Sequence, residues 1–143
     1  MNSSPKPGQI AILAGGAVLL IFSFLPWIDP DFGGSVNAWS EFGVFTWPAL
    51  FGLIGAGTLA ARLFGNVDLP EPVLTFTWKQ IYLILAFTSV LITVGFMIAG
   101  SDLGIGFWLS LLGSFAFLAG AIMEVLDTDG ATTGTSQTPP QSF

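Results

Sequence analysis

Long apolar stretches divide this chain into segments separated by short polar connections. Hydrophobic residues run with little interruption over about residues 10–27, 46–64, 81–100 and 103–125. Each stretch is close to the roughly 20 residues with which an α-helix crosses about 30 Å of hydrocarbon. The pattern therefore predicts an all-α membrane protein, an antiparallel bundle of four transmembrane helices that occupies residues 10–126.

Three cations give this predicted bundle an orientation. Lys6 precedes the first span, Arg62 ends the second and Lys79 opens the third. With four spans all three cations fall on one face, and Lys and Arg concentrate on the cytoplasmic side of membrane proteins. We expect a multi-pass protein of a bacterial plasma membrane with both termini in the cytoplasm. Residues 1–9 form the N-terminal segment, and residues 127–143 have the composition of a disordered tail.

Residues near the ends of the spans predict where the helices begin and how deep they lie. Thr77 and Gln80 have the spacing of a capping box, and Pro48 suits the first turn of the second helix. Indole rings and long cationic side chains prefer the headgroup region. The predicted interfacial anchors are Trp27, Trp47, Trp78, Trp108, Arg62 and Lys79.

The connection of about residues 28–45 is the most distinctive segment outside the spans. Trp39, Phe42 and Phe45 recur every three residues, as on one face of a short interfacial helix. The segment is either a loop or short helix that lies on the outer membrane surface or a docking surface for a partner protein. We keep these three aromatic residues as candidate docking residues.

Small residues recur every four positions along the second and fourth spans. The stripes include Gly52 with Ala56 and Gly106 with Ser110. Such residues allow close approach of helix backbones in lipid, so most of them should serve packing within the bundle. Any stripe left uncovered would be available to a partner, and these four residues are candidates for that role. The third span is bulky nearly all round, which predicts the largest lipid-facing or partner-facing surface.

Composition excludes several classes of function. The chain has 143 residues, of which 52% are hydrophobic and 8% charged, with a net charge of -6 that argues against nucleic-acid binding. It contains neither His nor Cys, so the usual ligands of haem, copper and zinc are absent and we predict no cofactor or metal. No ionisable residue lies at mid-depth in a span, and the Ser and Thr hydroxyls there have no neighbouring general base. We therefore expect no enzymatic activity.

A family resemblance supports this topology. A glycine-containing first helix runs into Phe24-Leu25-Pro26-Trp27, followed by a Gly/Ser loop and Asn37-Ala38-Trp39. This order resembles small, functionally unassigned four-helix membrane proteins of high-GC Gram-positive, actinobacterial-type bacteria, over about residues 8–47. The resemblance implies a bacterial origin and a four-helix topology without supplying an activity.

Two functions are compatible with these features. The first is a non-catalytic structural or accessory subunit that packs against a larger membrane complex, or against a second copy of itself. The alternative is a binder of a lipid or quinone-like molecule, or a transporter component, that holds its ligand with aromatic and hydroxyl groups between the helices. Trp39 and Thr93 are the residues to test for the alternative.

Overall fold

The structure is a computed structural model that describes residues 4–31, 33–40, 43–100 and 102–134, with side chains described up to residue 127. It contains four α-helices: α1 (Pro7–Phe22), α2 (Thr46–Phe64), α3 (Trp78–Ala99) and α4 (Ile105–Gly134). Within the described residues there is no β-strand, only isolated bridges between loop segments. The prediction of an all-α chain with four helices is confirmed.

Three of the helices are long and apolar enough to cross a membrane. These are α2, α3 and the part of α4 from Ile105 to Asp127. The first helix is shorter, with 16 residues, because it ends at Phe22 and not near residue 27 as predicted. The hydroxyl of Ser23 bonds to the carbonyl of Leu20 at 2.5 Å, and Pro26 disfavours helical backbone in the residue before it. Residues 23–27 therefore leave the helix and form part of a loop.

The remaining helix boundaries agree with the local signals in most places. Thr77 and Gln80 form the predicted capping box: the Thr77 N–H donates to Gln80 Oε1 at 3.0 Å, and the Gln80 N–H donates to Thr77 Oγ1 at 3.4 Å. Pro48 lies in the first turn of α2, as predicted. The fourth helix continues to Gly134, so it includes residues 127–134 of the segment predicted as a disordered tail. Residues 135–143 lie outside the described residues.

The helices form an antiparallel bundle in which α1 lies between α2 and α4. Two adjacent glycines make this arrangement possible. A β-carbon on Gly15 would lie 2.7 Å from the carbonyl oxygen of Gly113 on α4, and one on Gly16 would lie 2.7 Å from that of Gly52 on α2. Both distances are shorter than a real side chain allows, so α1 approaches both neighbours at backbone distance. The third helix closes the bundle by packing against α2 and α4.

Buried apolar side chains form two clusters along the bundle axis. One lies nearer the starts of α1 and α3 and the ends of α2 and α4, which we call the termini end. It consists of Ile12, Leu19, Leu59, Tyr82, Ala86, Phe117 and Ala121. The other lies at the opposite end, which we call the capped end, and consists of Trp27, Ala38, Phe107 and Leu111. The two ends differ in the polar groups that surround these clusters.

Candidate functional site

The loop after α1 folds over the capped end of the bundle. We call its described residues, 23–31 and 33–40, the Trp27 cap. The Trp27 side chain is only 1% exposed, its ring meets Phe107 edge-on at 5.6 Å, and its Nε1 donates to the carbonyl of Phe22 at 3.2 Å. The Trp27 backbone donates to the carbonyl of Val36 at 2.9 Å and accepts from the N–H of Gly104 at 2.8 Å. The cap is therefore a hydrogen-bonded part of the fold.

The aromatic residues that the sequence suggested for docking contact other parts of the same chain. Trp39 is half-buried and donates its Nε1 to the hydroxyl of Ser23 at 2.7 Å. Phe45 stacks on Phe96 of α3 with ring centroids 4.1 Å apart. Phe42 lies outside the described residues. Trp39 and Phe45 are thus each engaged in at least one contact within the chain.

The four Trp residues predicted as interfacial anchors differ in their exposure. Trp47 and Trp108 are each 45% exposed near the capped end, in positions that suit an anchor at headgroup depth. Trp78 is half-buried at the termini end, where its Nε1 donates to the carbonyl of Pro70 at 3.0 Å. Trp27 differs, because the cap encloses it. It is a core residue and not a membrane-facing anchor.

The small residues predicted as docking candidates are used inside the bundle. Gly52 is buried and Ala56 half-buried beneath α1, since a β-carbon on Gly16 would lie 2.6 Å from that of Ala56. Gly106 is buried against the Trp27 cap, and Ser110 is fully buried with no hydrogen-bond partner for its hydroxyl among the described residues. These four positions are therefore covered by other parts of the chain.

Hydroxyl groups link α3 to α4 near mid-depth. The Thr93 and Ser114 hydroxyl oxygens are 3.1 Å apart, and each also lies within hydrogen-bond distance of a backbone carbonyl of its own helix. Since each hydroxyl has one proton, one of the two donates to the other while the second donates to a carbonyl of its own helix. Such bonds satisfy buried polar groups without activating them. Thr93 is fully buried, so it does not line a space between helices as a ligand-binding role would require. Among the described residues, no group of three His, Cys, Asp or Glu side chains could hold a metal ion.

The charged residues of the helices lie at the termini end. Lys6 Nζ and Asp127 Oδ2 form an ion pair at 2.8 Å, with both side chains more than half exposed. The hydrogen bond and the charge of Asp127 raise the pKa of Lys6 above its ordinary value. This pair joins the start of α1 to α4 across 121 positions of sequence, a contact that no local pattern could have indicated.

Glu124 is a buried acidic residue at the termini end. Its side chain is 5% exposed, and a β-carbon on Gly8, in the first turn of α1, would lie 3.0 Å from Glu124 Oε1. Gly8 therefore leaves room for the carboxylate beside the positive end of the α1 dipole. Gly120, four residues earlier on α4, also faces Gly8, which shows how closely the helices approach here.

A cavity of about 210 Å³ opens at the termini end between the ends of all four helices. Tyr82 is 2% exposed, and its hydroxyl lies 3.5 Å from that of Thr58. Arg62 is exposed and Lys79 is half-buried. The cavity thus brings together residues that are far apart in sequence, including both cations of α2 and α3. Its lining includes Gln9, Leu59, Arg62, Lys79, Tyr82 and Glu124.

A second feature lies on the outward face of α3. A hollow of about 320 Å³ is bordered by Val44, Leu91, Gly95, Phe96 and Ala99. A β-carbon added to Gly95 would meet nothing within 4 Å, whereas Leu91 is 55% exposed beside it. The hollow is lined by apolar residues and opens to the side of the bundle. An apolar group of another molecule can therefore occupy it without rearrangement of the core.

Comparisons with protein-family models, with curated proteins and with solved structures found no match for this chain.

Proposed function

We propose that this protein is a non-catalytic integral membrane protein with four spans, which serves as a structural or accessory subunit of a larger membrane complex. The observation that carries the proposal is the outward face of α3. Only 22% of the α3 span is buried, against 44% of the α4 span. Its exposed bulky side chains flank the gap at Gly95, which suits the backbone of a transmembrane helix from a partner protein.

Charge placement supports a four-span arrangement with both termini in the cytoplasm of a bacterial cell. Lys6, Arg62 and Lys79 lie at the same end of the bundle, in accord with the positive-inside rule. The first helix spans about 24 Å at 1.5 Å per residue. The Trp27 cap completes that crossing, because non-helical backbone is tolerated at membrane depth when protein groups satisfy its hydrogen bonds.

Cysteine labelling tests the orientation, since the chain has no native thiol. Ser35→Cys should react with a membrane-impermeant maleimide on intact cells, and Ser136→Cys should react only after the cells are opened. Labelling of Ser136→Cys from outside would contradict the arrangement.

The partner proposal is tested by comparing substitutions at two glycines that lie on different helices. Gly95 and Gly57 both face open space, on α3 and α2 respectively, so Leu at either position should leave the bundle intact. A photo-crosslinking residue at Leu91 should capture one partner protein in the membrane. Gly95→Leu should reduce that crosslink about tenfold, and Gly57→Leu should preserve it, because only the former fills the hollow.

Three results would count against the accessory role. They are a crosslink unaffected by Gly95→Leu, crosslinking to lipid alone, and a chain that purifies in mild detergent as a monomer with no crosslinked partner. A crosslink to a second copy of this chain would replace the foreign partner with self-association. Mass spectrometry of the crosslinked band distinguishes these outcomes.

The alternative is a binder of a lipid or quinone-like molecule. Trp39 and Thr93 are engaged within the fold, so they do not support a ligand site between the helices at mid-depth. The cavity at the termini end, however, combines charged, aromatic and apolar lining. It gives the alternative a specific location.

A further inference from the structure

We propose that the connection between α2 and α3 inserts the side chain of Leu74 into the interfacial layer of the lipid bilayer at the termini end. Leu74 lies in a tight turn of residues 73–76, which we call the Leu74 turn. The inference rests on the membrane placement in the proposed function and not on the α3 partner. Its test therefore uses the purified chain in lipid vesicles and includes a separate probe of that placement.

The Leu74 turn is closed by hydrogen bonds and has an unusual backbone. The Val73 N–H donates to the carbonyl of Phe76 at 3.0 Å, and the Phe76 N–H donates to the carbonyl of Val73 at 2.9 Å. The two central residues have positive φ, 49° at Leu74 and 75° at Thr75. Turns with this backbone favour Asn and Gly, because bulky and β-branched residues rarely adopt positive φ. The backbone alone therefore does not account for a leucine at this position.

The Leu74 side chain has no cover within the chain. It is 86% exposed, more than any other large apolar side chain among the described residues. Phe76 in the same turn is 45% exposed, and Phe64 at the end of α2 is 69% exposed. Exposed apolar side chains thus occur both at the end of the α2 span and in the turn that follows it. Insertion into lipid would remove this apolar surface from water, which is favourable.

The turn lies close to the level at which α3 enters the membrane. Leu74 is three positions before Thr77, the N-cap of α3, and three residues extend at most about 11 Å. Trp78 holds the connection at this level, since its backbone N–H donates to Glu71 Oε1 at 3.2 Å and its Nε1 donates to the carbonyl of Pro70 at 3.0 Å. The interfacial layer on each side of the hydrocarbon is roughly 5–8 Å thick. Leu74 can therefore reach this layer without a change in the bundle.

The charge of the connection favours apolar insertion over electrostatic attachment. Residues 65–77 include Asp68 and Glu71 but neither Lys nor Arg, the residues that anionic lipids attract. The interfacial layer is adjacent to this connection whenever the helices span a bilayer, so the position of the turn itself supplies lipid as the occupant. We therefore expect Leu74 to insert into zwitterionic lipid, with no requirement for anionic lipid.

The test measures the depth of the turn by spin-label accessibility in phosphatidylcholine vesicles. The chain has no native thiol, so Thr75→Cys and Asp68→Cys each carry a single label at an exposed position of the same connection. Oxygen partitions into lipid, and a nickel chelate stays in water. We expect the ratio of oxygen to nickel accessibility to be about fivefold higher at position 75 than at position 68, because transfer of leucine out of water favours the inserted turn.

Two substitutions isolate the role of the leucine. Leu74→Asn removes the apolar side chain and supplies a residue type that accepts positive φ, so the variant should fold. In this variant the accessibility ratio at position 75 should fall to the value at position 68. Val67→Asn removes another exposed apolar side chain of the same connection and should leave the ratio at position 75 unchanged. A circular-dichroism melt of each variant checks folding.

A label on α4 tests the membrane placement separately. Leu112 is 66% exposed within the α4 span, so the label of Leu112→Cys should be accessible to oxygen and shielded from the nickel chelate. If this label meets lipid while positions 75 and 68 give equal ratios, the inference fails and the membrane placement stands. A Leu112→Cys label that is exposed to water would overturn both.

Two further results would overturn the inference. One is a high ratio at position 75 that persists in Leu74→Asn, which would show that the leucine does not cause the insertion. The other is a label at position 75 that is shielded from both oxygen and the nickel chelate. Such shielding would indicate contact with protein, such as a second copy of this chain, and not with lipid.

Discussion

The two ends of the bundle use their polar groups in different ways. At the capped end, backbone groups of the loop form hydrogen bonds with one another, and the Trp27 indole N–H donates to the carbonyl of Phe22. The rings of Trp27, Phe107 and Phe45 pack against each other beneath the loop. At the termini end, Glu124 and Tyr82 border a cavity. The capped end is therefore held together by hydrogen bonds and ring contacts of its loop, whereas charged side chains from different helices border the cavity of the termini end.

The loop rich in Trp and Phe offers candidate docking residues in the sequence, and in the structure Trp39 and Phe45 contact other parts of the chain. The charged residues looked like ordinary helix-end residues, yet several of them converge on one cavity. In this chain two indole rings make hydrogen bonds that stabilise the loop, and charged side chains from different helices line one cavity.

The largest expected effect comes from removing the central ring of the cap. Trp27→Ala should lower the free energy of unfolding by about 3–5 kcal/mol, because a fully buried indole is replaced by a cavity. Trp78→Ala at the termini end removes a half-buried ring and should cost about 1 kcal/mol, mainly from its bond to Pro70. Denaturant titration in micelles, followed by circular dichroism, gives both values. Equal losses would show that the ends do not differ in this way.

A smaller effect should follow from deleting one hydroxyl of α2 that bonds to the Trp27 cap. Thr46 is fully buried and donates to the carbonyl of Ala38 at 2.7 Å, so Thr46→Val leaves a buried carbonyl unpaired at a cost of about 1–3 kcal/mol. Thr88 on α3 bonds back to the carbonyl of Ile84 at 2.8 Å, and Thr88→Val should change stability by about 0.5 kcal/mol or less. The same titration compares the two. A larger loss for Thr88→Val would contradict the importance assigned to the cap.

The smallest effect should belong to the exposed ion pair of the termini end. Because Asp127 raises the pKa of Lys6 above its ordinary value of 10.5, the pair stabilises the folded state fully below that value. Its contribution is lost as the pH rises through the raised pKa. Lys6→Gln should therefore lower Tm slightly at neutral pH and low salt, and the difference from the unmodified chain should shrink as the pH rises through the raised pKa of Lys6.

Thermal melts from neutral to alkaline pH, at low and high salt, measure this difference. Glutamine keeps most of the Lys6 side-chain length, so the comparison isolates the charge. A Tm difference that persists unchanged at the highest pH would mean that Lys6 contributes by packing and not by its charge.

Local sequence signals predicted much of the helical framework. The capping box of Thr77 and Gln80 fixed the start of α3, and Pro48 placed the first turn of α2. These signals are reliable because the groups that interact are within a few positions of each other. The shared location of the cations at one end also followed from counting the helices.

Features that depend on contacts distant in sequence could not be predicted in the same way. The burial of Trp27 requires Val36 and Gly104 to meet it, and the composition of the loop does not indicate that pairing. The cavity requires the ends of four helices to converge, so the sequence indicates Arg62 and Lys79 only as interfacial residues and not as the lining of one cavity. Small-residue spacing indicated close packing but not which helix would cover each stripe.

The position of α1 between α2 and α4 has a consequence for biogenesis. In the proposed four-span arrangement, α1 enters the membrane first, but Gly15 packs against the backbone of α4, which is synthesised last. Phe107, the ring that Trp27 meets, also belongs to α4. Until α4 has been synthesised, α1 has one neighbour at most and its loop has no α4 surface to cover. The bundle core therefore assembles only after α4 is made, and a product truncated before α4 would remain an open set of helices.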